Sequence, residues 1–425
     1  MSLFGEQLRH AQQGSGVSVS ELARLSGIER TTLHKFISGE RMPKLQQVET
    51  LLQAMSLSPD EKAELLATFE VTRSGEGQFR QRQKVLSVIK DISQAYSAGL
   101  PSNDRDSVLI EPPEILRRET ESLSGEFTIN NLIAELISGE EHILYFSMPH
   151  DYQFFYDLLL KKHLASPKLT GNGFFSFVKA KKAYLNLNIL AAIAPFLTLG
   201  DRFLAYYVYS DAERKDLFAV PFPYFIHSSR YTLLLSEGLN RAIVSKNNAI
   251  RDSFQITCMD YLEASSMLLS RGSMITQLLD DCSYSQTDDP TGGDFRIIGF
   301  DGQLSFVETG QLSMLPPDRL DPFDDEGRRR QLQKLLAEAI GNTAKVRLLN
   351  PAKLALPNGF FLANLGGRSL VLSDAYDARS TGRIIRIAES SLVGAFSDFF
   401  VNVPDSDLTF SKAETIQAIQ DALRD

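Results

Sequence analysis

With 425 residues, the chain is too long for one hydrophobic core, and its length predicts two or three domains. Hydrophobic residues make up 43% of the sequence and charged residues 23%, which is the composition of a folded globular protein. The formal net charge of −9 argues against a surface coated in basic residues for non-specific binding of nucleic acid. Sequence-specific recognition of DNA needs only a local basic face, so the acidic total does not exclude it.

Cysteine content and hydropathy favour a cytoplasmic protein that does not cross a membrane. Cys258 and Cys282 provide neither a disulfide framework nor the spacing of a zinc site, which fits a reducing compartment. The first ten residues lack the basic leader and the apolar segment of a signal peptide. The most apolar window, residues 185–199, is short of a bilayer span and contains two asparagines and a proline, so we expect a buried helix there.

The first seventy residues predict five short helices, because apolar side chains recur there at helical spacing between cap and turn residues. These helices are residues 4–13, 18–27, 29–38, 44–55 and a fifth that opens at Ser58.

Local signals set the ends of several of these helices. Ser18 precedes Glu21 by three residues, which is the pattern of a capping box. Ser58 precedes Pro59 and two acidic residues, which favour the first turn of a helix. Gly27 is expected to make the turn between the second and third helices at positive φ, since it has no Cβ.

A longer amphipathic helix is predicted from Phe79 to Tyr96, with Phe79, Leu86, Ile89 and Ile92 on one side. This apolar side has two interpretations: it pairs two copies of the chain, or it packs on the neighbouring domain as a connector. The sequence leaves both open.

From about residue 127 the pattern changes to mixed helix and strand, so we predict a multidomain fold with an all-α N-terminal domain and a mixed α/β (α+β) region. Residues 98–106 and 283–294 are rich in turn formers and mark breaks. The predicted segments are a helical domain over residues 1–71, a helical connector and linker over 72–125, an α/β domain over 126–284 and a second mixed α/β domain over 295–425.

The two mixed segments share the same order of predicted elements. Residues 223–237 read as a hairpin followed by a helix around Phe254, and residues 359–374 read as a hairpin turning at Gly366-Gly367, followed by a helix around Phe396. A short strand precedes each hairpin, at residues 143–146 and 345–349. A diverged duplication would give two related subdomains. Chance similarity between two ordinary helix-and-strand units explains the shared order equally well.

The most informative stretch is residues 18–43, SVSELARLSGIERTTLHKFISGERMP, which predicts two short helices around a glycine turn. Leu22, Ile28, Leu33 and Phe36 are placed to lock these helices together, and Ala23 permits their close approach. The outer face of the second helix then carries hydrogen-bonding side chains near its N-terminus, where base edges are met in a DNA groove. They are Arg30, Thr31, His34 and Lys35, with Thr32 beside them.

Over residues 4–69 the sequence resembles the lambda-repressor-like (Cro-type, XRE) helix-turn-helix family of transcriptional regulators. The resemblance rests on the Glu-Leu-Ala of residues 21–23, the turn glycine, the exit from Gly39 to Pro43 and the two following helices. It implies that Arg30, Thr31 and Lys35 read bases, with Thr32 and His34 adjacent. It also implies phosphate contacts from the start of the first motif helix and from the loop after the second. These fall on Ser18, Ser20, Ser38, Arg41 and Lys44.

Two positions depart from the family pattern. Val19 stands where a polar residue such as Gln is usual, and its side chain cannot hydrogen-bond to DNA. Ile37 stands where Glu is frequent, which suggests that it packs against another part of the same protein.

No sequence motif in the chain predicts catalysis. Phosphate-binding glycine loops, GxSxG and HExxH are absent. A phospholipase-D-like pair would need His-x-Lys in each repeat, but Ser229 stands two residues after His227 and the second hairpin has no histidine. His150 and Tyr152 are candidate ligand-binding residues, since they follow a strand and precede a helix. A simpler role is available to their neighbour Asp151, as the N-cap of that helix.

The sequence therefore predicts a cytoplasmic, sequence-specific DNA-binding transcriptional regulator. Its expected partners are double-stranded DNA, a second copy of the chain, and a small-molecule or protein effector bound by the later domains. No enzyme activity, cofactor, metal or membrane contact is expected. The alternatives are a protein-interaction adaptor, antitoxin-like or phage-like, that uses the helical bundle to bind protein, and an enzyme tethered to DNA.

Overall fold

The computed structural model describes residues 2–97, 118–179, 183–210, 221–272, 294–300, 304–310, 325–341, 344–357, 360–373 and 384–424. The chain divides into two units, Met1–Gln83 and Lys84–Asp425. The predicted linker at residues 98–106, Cys282 and residues 283–293 of the second predicted break lie outside the described residues.

The N-terminal unit contains the five predicted short helices, followed by the start of a longer one that continues into the second unit. Their bounds are α1 Leu3–Gly14, α2 Val19–Ser26, α3 Arg30–Ser38, α4 Leu45–Ala54, α5 Pro59–Ser74 and α6 Glu76–Ser97. A separate core joins the first five helices, and its fully buried side chains include Phe4 of α1 and Phe69 of α5. These two rings meet edge to face with centroids 5.4 Å apart. The all-α prediction for this segment is confirmed.

The helix ends follow the local signals with one difference. Ser58 and Glu61 form a complete capping box: Glu61 N donates to Ser58 Oγ at 3.3 Å, and Ser58 N donates to the Glu61 carboxylate at 2.8 Å. Ser18 Oγ accepts a hydrogen bond from Glu21 N at 3.2 Å, but the Glu21 carboxylate lies 4.0 Å from the Arg24 guanidinium instead of returning to Ser18. Only half of the predicted box at Ser18 therefore forms.

The apolar side of α6 packs inside the second unit. Val85, Val88, Ile89 and Ile92 are fully buried in the core of the α/β region, and Leu86 is half-buried against it. This confirms the connector interpretation of the helix. The same face is not free to pair with a second copy of the chain.

The first half of the second unit is an eight-stranded mixed sheet with the order β1-β7-β6-β5-β2-β3-β4-β8. Strands β2, β3 and β4 are parallel, and the other pairs are antiparallel. The strands are β1 Thr120–Ser124, β2 Ile143–Ser147, β3 Thr170–Val178, β4 Phe203–Ser210, β5 Tyr224–Ser228, β6 Thr232–Leu235, β7 Arg241–Ser245 and β8 Ser266–Met267. The helices are α7 Glu126–Ser138, α8 Gln153–Ala165, α9 Ala183–Ile193 and α10 Asn248–Ala264.

The second half is a seven-stranded antiparallel sheet with the order β12-β11-β10-β13-β14-β15-β9. The strands are β9 Ser270–Gly272, β10 Asp294–Phe300, β11 Leu304–Gly310, β12 Ala344–Leu348, β13 Phe361–Leu365, β14 Ser369–Ser373 and β15 Ile384–Ile387. The helices are α11 Asp325–Ile340, α12 Ser390–Asn402 and α13 Lys412–Ala422. The predicted mixed α/β region is thereby confirmed.

The two sheets repeat one topology. Seven neighbouring strands of the first sheet have the order β1-β7-β6-β5-β2-β3-β4. Read from its other edge, the second sheet has the order β9-β15-β14-β13-β10-β11-β12, which is the same order with every label raised by eight. A helix follows the last strand of each set, α10 after β7 and α12 after β15. Agreement over seven strands favours duplication over chance. The halves differ where α8 joins the parallel strands β2 and β3, because β10 and β11 pair antiparallel.

The expected match between the short strands at residues 143–146 and 345–349 is wrong. The first is β2, which pairs with the hairpin strand β5. The second is β12, which lies at the edge of its sheet in the place of β4, while β10 pairs with the hairpin strand β13. Strand pairing, which depends on distant residues, decided the correspondence. The predicted turn at Gly366-Gly367 is confirmed, with φ of 56° and 63°.

One described helical segment, Tyr184–Arg202, is long and apolar enough to be a candidate membrane span by length and composition. It comprises α9 and the 3₁₀ turns of Ala194–Arg202, and 56% of its apolar window is buried inside the protein. Leu187, Leu190 and Ile193 are fully buried in the α/β core. The segment is therefore a core helix of this unit, as the sequence predicted.

Candidate nucleic-acid interface

Helix α3 has one buried and one exposed face. Leu33 and Phe36 are fully buried, and Ile37 is almost so, which fixes the helix against the rest of the bundle. The predicted base-reading residues lie on the other side: Arg30, Thr31, His34 and Lys35 are exposed, and Thr32 is half-buried. Four hydrogen-bonding side chains on nine helical residues therefore point to solvent from a rigid support.

The turn before α3 braces it against α2. Gly27 has φ of 66°, the left-handed conformation expected of it. Ser26 Oγ donates to Leu22 O at 2.7 Å and accepts from Ile28 N at 3.4 Å, so its buried hydroxyl ties the end of α2 to the turn. Leu22 is fully buried and Ile28 nearly so. The angle between the two helices is thus set by packing on both sides of one glycine.

The predicted phosphate-contacting residues surround this exposed face. Ser18, Ser20, Arg41 and Lys44 are exposed, and Ser38 is half-buried. The Ser18 hydroxyl accepts the cap hydrogen bond from Glu21 N, which leaves its own proton free to donate to a second oxygen. The Ser38 hydroxyl instead donates to Lys35 O at 3.2 Å. Ser38 is therefore the least available donor of the set.

The two departures from the family pattern have structural roles. Val19 is half-buried and packs against the helical core. Ile37 is 7% exposed and belongs to the same core, so the expectation that it packs within the protein is confirmed.

Close approach of α1 to the end of α3 is a feature that the sequence reasoning missed. A Cβ added at Gly39 would lie 2.5 Å from Ser2 N, and one at Gly5 would lie 2.8 Å from Ile37 O. Gly39 also has φ of 77°. The chain therefore needs glycine at two positions to seat α1 beside the C-terminus of the exposed helix.

Electrostatically, the exposed face is basic only locally. Within α3 the charged residues are Arg30 and Lys35, both of them cationic, with His34 between them. Exposed acids, Glu29 and Glu40, flank the helix at its two ends. The exposed side of α3 is therefore a short positive patch with an acidic residue beside each end of the helix.

Residues 3–65 match the family model of a helix-turn-helix domain. This part of the chain is a helix-turn-helix domain. Such domains place their second motif helix in the major groove of DNA, and here that helix is α3. The helix-turn-helix match does not extend to the α/β unit.

Two solved structures are weakly similar to the chain. The archaeal chromatin protein TrmBL2, whose structure is described as showing a novel mode of DNA binding, has 10% identity and a TM-score of 0.26, covering 52% of this chain and 87% of its own. Phosphatidylserine synthase of Haemophilus influenzae Rd KW20 has 10% identity and a TM-score of 0.24, covering 72% and 92%. Values this low support no conclusion about the α/β unit. No curated protein matches the sequence.

In the α/β unit, His150 and Tyr152 are both half-buried at the carboxyl end of β2. The Tyr152 hydroxyl donates to Asn130 Oδ1 of α7, and burial raises the pKa of Tyr152 to about 12. The N-cap of α8 is Tyr152 itself, so the expectation that Asp151 caps this helix is wrong. Tyr152 thereby ties α8 to α7, while a ligand role for either residue stays a prediction.

His227 is buried in β5, and each of its ring nitrogens has a hydrogen-bond partner. Its Nδ1 lies 2.8 Å from Thr232 Oγ1, and its Nε2 lies 3.1 Å from Gln255 Oε1 of α10. Burial lowers the pKa of this histidine, which favours the neutral ring. In the second repeat, Asn364 of β13 similarly donates to Ser397 Oγ of α12 at 2.6 Å. Each hairpin is thus tied by a buried polar side chain to the helix that follows its sheet.

Metal binding finds no support in the described ranges. Among these residues, no group of three or more His, Cys, Asp or Glu side chains is placed to hold an ion.

Proposed function

We propose that the protein is a cytoplasmic, sequence-specific transcriptional regulator that reads DNA with α3. The observation that carries this proposal is the exposed polar face of α3, held by the buried side chains of Leu33 and Phe36 in a helix-turn-helix domain. Arg30 and Lys35 are the residues on this face that can donate to guanine O6 and N7. No catalytic step, cofactor or metal is part of the proposal.

Register on the DNA comes from contacts that do not depend on sequence. Ser18, Arg41 and Lys44 are exposed around α3 and would contact phosphates on either side of the groove. Two helix-turn-helix domains, one from each copy of a homodimer, would read the two halves of a palindromic site. The α/β unit would serve assembly and would respond to a small-molecule or protein effector by changing the spacing of the two domains.

The test begins with the DNA fragments that the full-length protein selects, starting with those that flank its own gene. Affinity for a selected fragment should fall steeply with salt, as expected when phosphates are neutralised. Arg30→Ala and Lys35→Ala should each reduce discrimination by about 1–3 kcal/mol for the base pair that the side chain reads. Lys62→Ala, which removes a positive charge from α5 of the same domain, should leave the preference between sequences unchanged.

Two results would contradict this reading. If both α3 variants still select the same operator as the wild type, the assigned base contacts are wrong. If no fragment is selected and the bundle instead captures a protein, the adaptor alternative replaces the regulator.

A further inference from the structure

Glu29 is the N-cap residue of α3 and directly precedes the residues on its exposed face. Its carbonyl oxygen accepts the first hydrogen bond of the helix, from Leu33 N at 2.9 Å. The residue before it, Ile28, is buried in the core of the domain. The backbone of Glu29 is therefore fixed on both sides, while its side chain is exposed. A carboxylate is thus held at the end of α3 that meets base edges in a DNA groove.

Capping of the helix does not explain a glutamate at this position. Helices α1, α2 and α5 of the same domain begin after Ser2, Ser18 and Ser58, and each serine hydroxyl accepts a hydrogen bond from the backbone N–H three residues later. The Glu29 side chain makes no such hydrogen bond in α3. Serine, threonine, aspartate and asparagine stabilise a helix N-terminus best, and this domain uses serine for that purpose in three other helices.

The Glu29 carboxylate is also not paired with a cation. Within the described part of the helix-turn-helix domain it has no ion pair, although the next residue is Arg30. Both of its oxygens are therefore available to accept hydrogen bonds from a partner outside the chain.

Base recognition gives this carboxylate a chemical partner. In the major groove cytosine presents the hydrogen-bond donor N4, and a glutamate carboxylate can accept from it. Arg30 and Lys35 carry only donors, which suits O6 and N7 of guanine. Among the charged residues of α3 and its N-cap, Glu29 is the one acceptor. Arg30 and Glu29 together therefore offer the hydrogen-bonding groups that match the two bases of a G·C pair.

Repulsion makes such a carboxylate selective. A carboxylate that faces guanine O6 or thymine O4 meets another acceptor, so the wrong base is penalised as well as unrewarded. The positive end of the helix macrodipole and the neighbouring Arg30 favour negative charge at this position, which partly offsets the repulsion from the DNA phosphates.

We propose that Glu29 is a specificity-determining residue that reads cytosine in the major groove beside Arg30. The inference rests on the proposed function, since it adds a base contact to the helix that reads DNA. Consecutive Cα atoms are about 3.8 Å apart and successive base pairs about 3.4 Å. The cytosine should therefore lie close to the guanine that Arg30 reads.

The experiment measures the affinity of the full-length protein for a selected DNA fragment in which each base pair is replaced in turn, at one fixed salt concentration. For the wild type, replacing the cytosine that Glu29 reads should weaken binding about fivefold to a hundredfold. Glu29→Ser should remove the preference at this base pair. Glu29→Gln should transfer it to adenine, since glutamine pairs with adenine N6 and N7.

Two checks keep this result specific to base reading. Serine is a favoured N-cap, so Glu29→Ser should unfold at a temperature no lower than the wild type. Glu40→Gln is the matched control, because it removes an exposed acid beside the other end of α3. Neutralising either acid should strengthen binding to every fragment alike, because repulsion from the phosphates falls. Only the Glu29 variants should change the preference between bases.

A gain in affinity that is uniform over all fragments, and equal in Glu29→Gln and Glu40→Gln, would overturn the assignment of Glu29. Arg30→Ala and Lys35→Ala, measured on the same fragments, separate this outcome from the proposed function. If they lose discrimination while the Glu29 variants keep every base preference, the regulator stands and Glu29 does not read DNA. If the wild type selects no fragment, the proposed function fails, and the reading role of Glu29 fails with it.

Discussion

Three glycines in the helix-turn-helix domain distinguish two reasons why a position can require glycine. One is a backbone with positive φ, and the other is a lack of space for a Cβ atom. Gly14 lies at the end of α1 with an open environment and an ordinary φ, and Gly27 has φ of 66° with nothing near its missing Cβ. Gly39 has both a φ of 77° and a neighbour, Ser2 N, 2.5 Å from where a Cβ would stand. Backbone conformation alone acts at Gly27, and close approach adds to it at Gly39.

We expect the alanine variants to follow that order. Gly14→Ala should be neutral or slightly stabilising, and Gly27→Ala should cost about 1–2 kcal/mol for a left-handed residue with a side chain. Gly39→Ala should cost more than Gly27→Ala, because α1 must also move away from α3. Amide hydrogen exchange of α1 and α3 in the full-length protein measures these differences. Equal losses for Gly27→Ala and Gly39→Ala would show that the contact with Ser2 contributes nothing.

Residues whose roles depend on near neighbours in sequence were predictable. The cap at Ser18, the left-handed turn at Gly27 and the burial of Leu33 all follow from signals within a few positions. The contact of Gly39 with Ser2 was not predictable, since nothing in the local sequence says that the start of α1 reaches the end of α3. DNA contacts by individual side chains stay predictions for the same reason: exposure is visible, but the partner is not.

At the scale of elements, the apolar stripe of α6 is compatible with two different structures. A stripe of apolar residues has the same spacing whether it pairs two chains or packs on a sheet of its own chain. The burial of Val85, Val88, Ile89 and Ile92 in the α/β core decides for the second. Local sequence predicted the helix and its apolar side, but tertiary packing determined what covers that side.

Ile89→Ala should therefore destabilise the α/β unit by about 2–5 kcal/mol, because it leaves a cavity at a fully buried position. Lys90→Ala, at the exposed neighbouring position, should stay within about 0.5 kcal/mol of the wild type. Urea unfolding of both variants measures the difference, and sedimentation should show the same oligomeric mass for all three proteins. A folded Ile89→Ala protein that has lost its dimer without losing stability would restore the dimer interpretation of α6.

The order of the strands in each sheet could not be predicted from local sequence either, because it depends on pairing between distant parts of the chain. Each hairpin was predictable from its turn, and both β5–β6 and β13–β14 form where expected. The neighbour of each hairpin is a strand from elsewhere in the chain, β2 in one sheet and β10 in the other. The sequence pointed to the strand at residues 345–349, which is β12, and the pairing of β10 with β13 shows that β10 instead corresponds to β2.

For the whole molecule, the important fact is that the two units have separate cores. Phe4, Leu33 and Phe69 belong to the core of the helix-turn-helix domain, and the buried residues of α6 from Val85 onward belong to the α/β core. The division between the units falls within α6, after Gln83. Because the two sets of buried residues do not overlap, we expect each unit to unfold without the other.

Calorimetry of the full-length protein should accordingly show two transitions. A selected operator fragment at a hundred times its dissociation constant should stabilise the helix-turn-helix transition by about 2.7 kcal/mol and leave the α/β transition in place. Gly39→Ala should lower only the first transition and Ile89→Ala only the second, which assigns each peak to its unit. A single transition that both variants shift together would mean that the two cores unfold as one cooperative unit, so that DNA bound at α3 stabilises the α/β unit as well.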